Sequence, residues 1–134
     1  MQDTYVVILS LASNHLQREH LNQARHLLEQ TLLEPHYSKE TWTEPYGMKQ
    51  HSDTKYLNQL VLAKTRLDCE QLNIRLKQLE MDMGRTKDQR DMGRVAIDLD
   101  VLLYNGTRLH SNDWERSYIK ELMASIPHPV SRES

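Results

Sequence analysis

The chain has 134 residues, 38% hydrophobic and 27% charged, with a formal net charge of −2. That balance suits one soluble domain with a modest core and excludes a disordered chain, while no apolar run reaches the roughly 18–20 residues that span a bilayer. The small net charge, the absence of any long basic block and the lack of Phe argue against nucleic-acid recognition by phosphate neutralisation or by stacking aromatics.

In chain order, residues 4–13, TYVVILSLAS, are β-branched and apolar and predict a central strand. Residues 14–33, NHLQREHLNQARHLLEQTLL, place Leu16, Leu21, Ala24, Leu27, Leu28 and Leu32 near helical spacing. Asn14 and Gln17 suit a capping box for that helix, and Pro35 its end. Residues 36–46 predict an edge strand running into a polar loop, and residues 56–67, YLNQLVLAKTRL, another strand. Asp68 with Gln71 predicts the start of a second helix, Cys69, Leu72, Leu76, Leu79 and Met83 its buried stripe, and Gly84 its stop. RTKDQRDMGR (85–94) predicts a charged loop, RVAIDLDVLLYNG (94–106) a strand ending in an Asn105-Gly106 turn. A third helix is expected from Asn112, with Glu115 in its capping box and Trp114, Tyr118 and Leu122 on one face. The order β-α-β-β-α-β-α predicts an α+β fold, a ferredoxin-like split βαβ sandwich: an antiparallel sheet with helices on one face plus a C-terminal helix. Residues 1–126 form the expected single domain and 127–134 a loose tail. Cys69 is the only cysteine, so no internal disulfide is possible and the cytoplasm is the default location.

Chemistry enters with Asp98 and Asp100. Two apart on a strand, they share a face while Ile97, Leu99 and Val101 point the other way. Adjacent carboxylates raise each other's pKa unless a cation sits between them, and Mg²⁺ is commonly held by one or two carboxylates plus nucleotide phosphates. As an isolated pair they are most simply a solvated face, with Arg85, Lys87 or Arg94 as counter-ions. The basic run Arg85, Lys87, Arg90 and Arg94 is by itself an ordinary loop after a helix, though cations beside a carboxylate pair suit polyphosphate. Other signals are weak: the seven histidines make no His-x-x-x-His pair, and four separated glycines form no phosphate loop.

Five segments in order, LSLASNHLQREHLNQARHLL, TEPYG, YLNQLVLAKT, LKQLEMDMGR and IDLDVLLYNG, together resemble the hydroxymethyldihydropterin pyrophosphokinase family over nearly the whole chain. The resemblance implies a ferredoxin-like fold and transfer of pyrophosphate from ATP to the hydroxymethyl group of a reduced pterin, giving AMP, with two Mg²⁺ ions. It implies metal binding by Asp98 and Asp100, and catalytic roles for them with Arg85 and Arg94. Glu80, Lys87, His110 and Arg116 are implied at the nucleotide, and Thr43, Glu44, Tyr46, Tyr56, Asn58 and Tyr118 at the pterin. Tyr118 would stack on the heterocycle, and the Asn58 amide could offer it both a donor and an acceptor. The expected partners are ATP and a reduced pterin, with no nucleic acid, no membrane and no second subunit.

Three departures stand out. Ala12 replaces a glycine of the family pattern, Arg94-Val95 sets an arginine one position early, and the 101–110 segment is shortened. They leave two alternatives open: a catalytically impaired homologue that binds pterin or nucleotide, or a ferredoxin-like regulatory module for another small ligand.

Overall fold

The computed structural model describes residues 3–44, 54–84 and 87–126. Its elements are β1 (Tyr5–Ser13), α1 (Gln17–Glu29), β2 (Leu33–Tyr37), β3 (Thr41–Thr43), β4 (Tyr56–Thr65), α2 (Cys69–Asp82), α3 (Lys87–Asp91), β5 (Asp98–Tyr104), β6 (Thr107–Arg108), α4 (Ser111–Trp114) and α5 (Ser117–Ser125). The strands form one antiparallel sheet in the order β2-β4-β1-β5-β6, with β3 also on β4. This is the α+β arrangement that the sequence predicts.

Strand alternation divides the core in two. Val7, Leu9 and Leu11 of β1, Leu57, Val61 and Ala63 of β4, and Leu99 and Val101 of β5 meet α1 and α2 through Leu21, Ala24, Leu28, Leu72, Leu76 and Leu79. On the opposite face Ile8, Leu60 and Leu102 pack against Trp114, Ile119, Leu122 and Ile126. That second core covers only part of its face. Towards the Asp98 end of the sheet, the small Ala12 and the polar Ser10, Asn58, Asp98 and Asp100 replace the large apolar residues, which leaves room for a cleft.

Local chemistry explains several element ends. Asp68 accepts a hydrogen bond from Gln71 N–H at 2.8 Å while Gln71 Oε1 accepts one from Asp68 N–H at 3.1 Å, the capping box expected at α2. Gly84 follows α2 at φ 101°, and Asn105 (φ 50°) with Gly106 (φ 87°) makes the tight β5–β6 turn.

Elsewhere tertiary demands override local signals. Asn14 does not cap α1, whose N-terminus follows Leu16 in a left-handed conformation. The Asn14 side chain instead donates to Gly93 O at 2.9 Å and accepts from Val95 N–H, tying down the segment before β5. α1 stops at Glu29 rather than running to residue 33, because Leu33 pairs with Lys64 at the start of β2. Pro35 lies where that pairing shifts register, a place in a sheet that tolerates a missing N–H. The expected charged loop contains the short α3, and β5 begins at Asp98 instead of Arg94. The predicted third helix is broken: Arg116 is extended between α4 and α5. The break lets Trp114 enter the core, its indole N–H donating to Leu102 O and Leu109 O at 3.0 Å each, while Tyr118 lies along the cleft. Residues 127–134, expected as a tail, lie outside the described residues.

Asp68→Ala removes the cap while leaving the buried face of α2 intact. Its denaturant midpoint is expected to correspond to a loss of about 1 kcal/mol with an unchanged slope; a midpoint equal to the parent's would contradict the capping role.

Candidate active site

Among the described residues no strand neighbours the outer edge of β5 at Leu99, since β6 pairs with Leu103 and Tyr104. α2 supplies the missing partners. Glu80 Oε2, on a residue only 2% exposed, accepts the Leu99 N–H at 2.7 Å, and Lys77 Nζ donates to Leu99 O at 3.3 Å. The two side chains pair with each other at 3.2 Å. Leu99 is thereby held in the helix-side core, and alternation places Asp98 and Asp100 on the other face, opposite Ala12 and Ser10 of β1.

There a cavity of about 250 Å³ opens, lined among others by Ser10, Ala12, Thr43, Glu44, Tyr56, Asn58, Asp98, Asp100, Asp113, Arg116 and Tyr118. Eight residues expected at a site are on its wall: Thr43 and Glu44 at the end of β3, Tyr56 and Asn58 from β4, Asp98 and Asp100 from β5, and Arg116 and Tyr118 from the start of α5. Asn58 directs its amide nitrogen to Thr43 Oγ1 at 2.9 Å and Thr41 O at 3.2 Å. It therefore offers a ligand its carbonyl oxygen, an acceptor, rather than the donor-and-acceptor edge that the sequence suggests. The Arg116 guanidinium lies 4.7 Å over the Tyr118 ring, so a cation already stacks on the aromatic expected to meet the pterin. Glu44 is paired with Lys55 at 3.4 Å on the exposed rim.

Among the described residues, Glu80, His110 and Arg94 do not line that wall. Glu80 supports β5 from behind. His110 is exposed at the start of α4, close enough to Asp100 to influence it electrostatically. Arg94 is exposed in the 93–95 segment that Asn14 anchors, beside His15. Because that segment is loop, the strand rule that one position means the opposite face does not apply to Arg94-Val95. Ala12 likewise lies in regular β1, paired with Asn58 and Asp98, so its methyl group meets no turn in the backbone. Lys87 opens α3. Tyr46 and Arg85 lie outside the described residues.

Two residues at the site were not picked out by motif reading. Lys77 precedes Glu80 by three residues and reaches Asp100 at 3.9 Å; Asp113 precedes Arg116 by three and pairs with it at 3.8 Å. The i,i+3 spacing on helical segments was the signal available for both.

Electrostatically the cleft is demanding of cations. Burial and the neighbouring Asp98 push the Asp100 carboxyl above its ordinary pKa, against the opposing pull of Lys77 and His110. Burial also raises the Tyr118 phenol, so it stays protonated at neutral pH. Among the described residues no group of three or more His, Cys, Asp or Glu forms a metal cage.

The model of the 7,8-dihydro-6-hydroxymethylpterin-pyrophosphokinase family matches residues 8–134. The chain belongs to that family. It is similar to the 2-amino-4-hydroxy-6-hydroxymethyldihydropteridine pyrophosphokinase of Bacillus subtilis, with 31% identity over 96% of this chain and 82% of the relative. It is also 37% identical, over 48% of its length, to part of the mitochondrial folate synthesis bifunctional proteins of Pisum sativum and Arabidopsis thaliana, of which the matches cover 14% and 13%. As a member of this family the chain is an ATP-dependent pyrophosphokinase of folate biosynthesis. No helix among its described residues is long and apolar enough to cross a membrane.

The support of β5 by Glu80 has a measurable consequence in this pyrophosphokinase. Glu80→Ala leaves the buried Leu99 amide without its acceptor and is expected to lower global stability by roughly 2 kcal/mol in the absence of any ligand. Unchanged stability accompanied by weaker nucleotide binding would instead assign Glu80 to the nucleotide alone.

Proposed function

We propose that the cleft on the α4–α5 side of the sheet is where this enzyme transfers pyrophosphate from ATP to 6-hydroxymethyl-7,8-dihydropterin, releasing AMP. The observation that carries this reading is convergence: Thr43, Asn58, Asp98, Asp100, Arg116 and Tyr118 come from four separated stretches of chain and meet around one cavity. Residues 1–126 act as the single domain that assembles it.

Asp98 and Asp100 fit Mg²⁺ by the chemistry of their donor set. Both are hard oxygen donors on one face, Asp100 is pushed towards protonation by burial and by Asp98, and among the described residues no group of three or more His, Cys, Asp or Glu forms a closed metal cage. Bound there, two Mg²⁺ ions would neutralise charge on the polyphosphate and favour the attacked phosphorus. The remaining work falls to the protein. Asn58 Oδ1 accepts a hydrogen bond from the pterin edge, with Thr43 holding its amide in that orientation. Tyr118 and the guanidinium over it make a flat, cationic wall for the heterocycle. Tyr56 and Glu44 close the pterin side, His110 lies towards the nucleotide, and Arg116, stacked on Tyr118, stands between the two ligands. Arg94, carried on a loop anchored by Asn14, supplies positive charge at the phosphates together with Arg85 and Lys87, a role in which one positioned donor is worth about 2.7–4 kcal/mol of barrier. No described side chain stands out as a general base.

Incubation with ATP, Mg²⁺ and 6-hydroxymethyl-7,8-dihydropterin is expected to yield AMP, with Asp98→Ala failing both to turn over and to bind nucleotide in a Mg²⁺-dependent way while keeping the parent's circular dichroism. An Asp98→Ala protein that binds MgATP as well as the parent would refute the metal assignment. Charge repulsion gives a separate readout. In chelator, Asp100→Asn is expected to raise the unfolding temperature, whereas Mg²⁺ with an ATP analogue should stabilise the parent and not this variant. A variant less stable than the parent in chelator would show that the pair is satisfied without a cation.

A further inference from the structure

The connection from β2 to β3, Ser38–Glu40, belongs to no helix or strand, yet three elements hold it. From β4, Leu60 exchanges hydrogen bonds with Ser38, whose N–H donates to Leu60 O and whose Oγ accepts the Leu60 N–H, both at 2.9 Å. Gln59, 6% exposed, donates its Nε2 to Ser38 O at 2.7 Å. From α1, the Arg25 guanidinium donates to Gln59 Oε1 at 2.7 Å and to Glu40 Oε2 at 3.0 Å, and Arg18 reaches the same Glu40 carboxylate at 3.4 Å. From α5, Ser125 Oγ accepts the Lys39 N–H at 3.0 Å and Glu121 pairs with Lys39 Nζ at 2.7 Å. The Lys39–Glu121 pair is half-exposed and contributes little. Half-buried Arg25 and buried Gln59 form the charge-assisted part of the clamp.

Immediately after this clamp the chain enters the pterin side of the cleft. β3 is three residues long, joined to the sheet through β4, and it delivers Thr43 to Asn58 and Glu44 to the rim. So short a strand is marginal by itself, and the fixed connection before it sets where it lies. α5, which meets the same connection through Ser125, carries Tyr118 in its first turn.

We propose that Arg25 is a positioning residue for the pterin wall, acting through Gln59, which itself borders the cavity, and through Ser38–Glu40 on Thr43 and thus on the orientation of Asn58. This rests on the assignment of the cleft given above. The asymmetry of the fold makes it distinctive: the aspartate pair lies on β5, on the far side of β1 from β4, and takes its support from α2, so the clamp is expected to act on the pterin wall more than on the aspartate pair.

The test compares the whole chain with Arg25→Met, which keeps the apolar stem and removes the donors, and with Gln59→Leu. Pterin binding is measured by calorimetry on protein saturated with a non-transferable Mg–ATP analogue, and analogue binding is measured separately. Each variant is expected to weaken pterin binding about tenfold, the scale of one charge-assisted hydrogen bond, and to change analogue affinity less than about twofold. Arg25→Lys should recover part of the loss, and the double variant should be little worse than the worse single one. Should either substitution prevent folding, the half-buried Glu40→Gln carries the same comparison. Unchanged pterin affinity in all variants overturns the proposal, as does an equal loss for pterin and analogue accompanied by a lower unfolding temperature. A parent that binds the analogue but no pterin overturns both this proposal and the assignment of the cleft.

Discussion

The open edge of β5 is the constraint on which the site depends. A strand edge inside a protein must find partners for its amides and carbonyls, and here no described strand provides them at Leu99. Glu80 and Lys77 do so from α2, in hydrogen bonds to the N–H and C=O of one residue. With Leu99 and Val101 committed to the helix-side core, a one-residue slip of β5 would bury Asp98 and Asp100 there without compensation. Packing on one face therefore enforces the chemistry of the other. The same pair of side chains links the support to the site, because Lys77 also reaches Asp100.

The two faces of the sheet carry different work. The helix-side face is mostly apolar, interrupted by buried Ser13, Gln59 and Thr65, and holds the larger core cluster. The opposite face is covered by Trp114, Ile119, Leu122 and Ile126 at one end and left polar at the other. The break between α4 and α5 is what allows both, since a continuous helix could not bury Trp114 and also lay Arg116 and Tyr118 along the cleft. The register shift in the β1–β5 pairing between Ile8 and Leu9 falls at the boundary between these halves, and there Leu102 and Leu103 both join the second core.

Much of this was legible in the sequence because it is local. The capping box at Asp68, the stop at Gly84, the Asn105-Gly106 turn and the shared face of Asp98 and Asp100 come from spacing and residue type. The fold class came from element order, and the family from five segments in register. The features that were not legible depend on distant partners. Asn14 has the chemistry of a cap, but its strongest available partners are backbone groups near Gly93 and Val95, some eighty residues away. Leu33 fits a helical stripe as well as a strand, and pairing with β4 decides between them. Glu80 carries a motif that suggests nucleotide contact, while its burial against Leu99 shows a structural duty that no pattern announces. The position of Arg94 illustrates the same limit, since whether one residue of offset matters depends on where the strand begins.

Nucleotide-bound metal at Asp98 and Asp100, on the face covered by α4 and α5, is the proposal on which the proposed chemistry turns. Its most direct test is paramagnetic broadening of backbone NMR signals on adding Mn²⁺ with a non-transferable ATP analogue. Broadening is expected to centre on Asp98–Asp100 and on Ser10 and Ala12 opposite them, with the outer surfaces of α1 and of the N-terminal half of α2 least affected. Broadening centred elsewhere, or none along β1 and β5 while the analogue is bound, would contradict it.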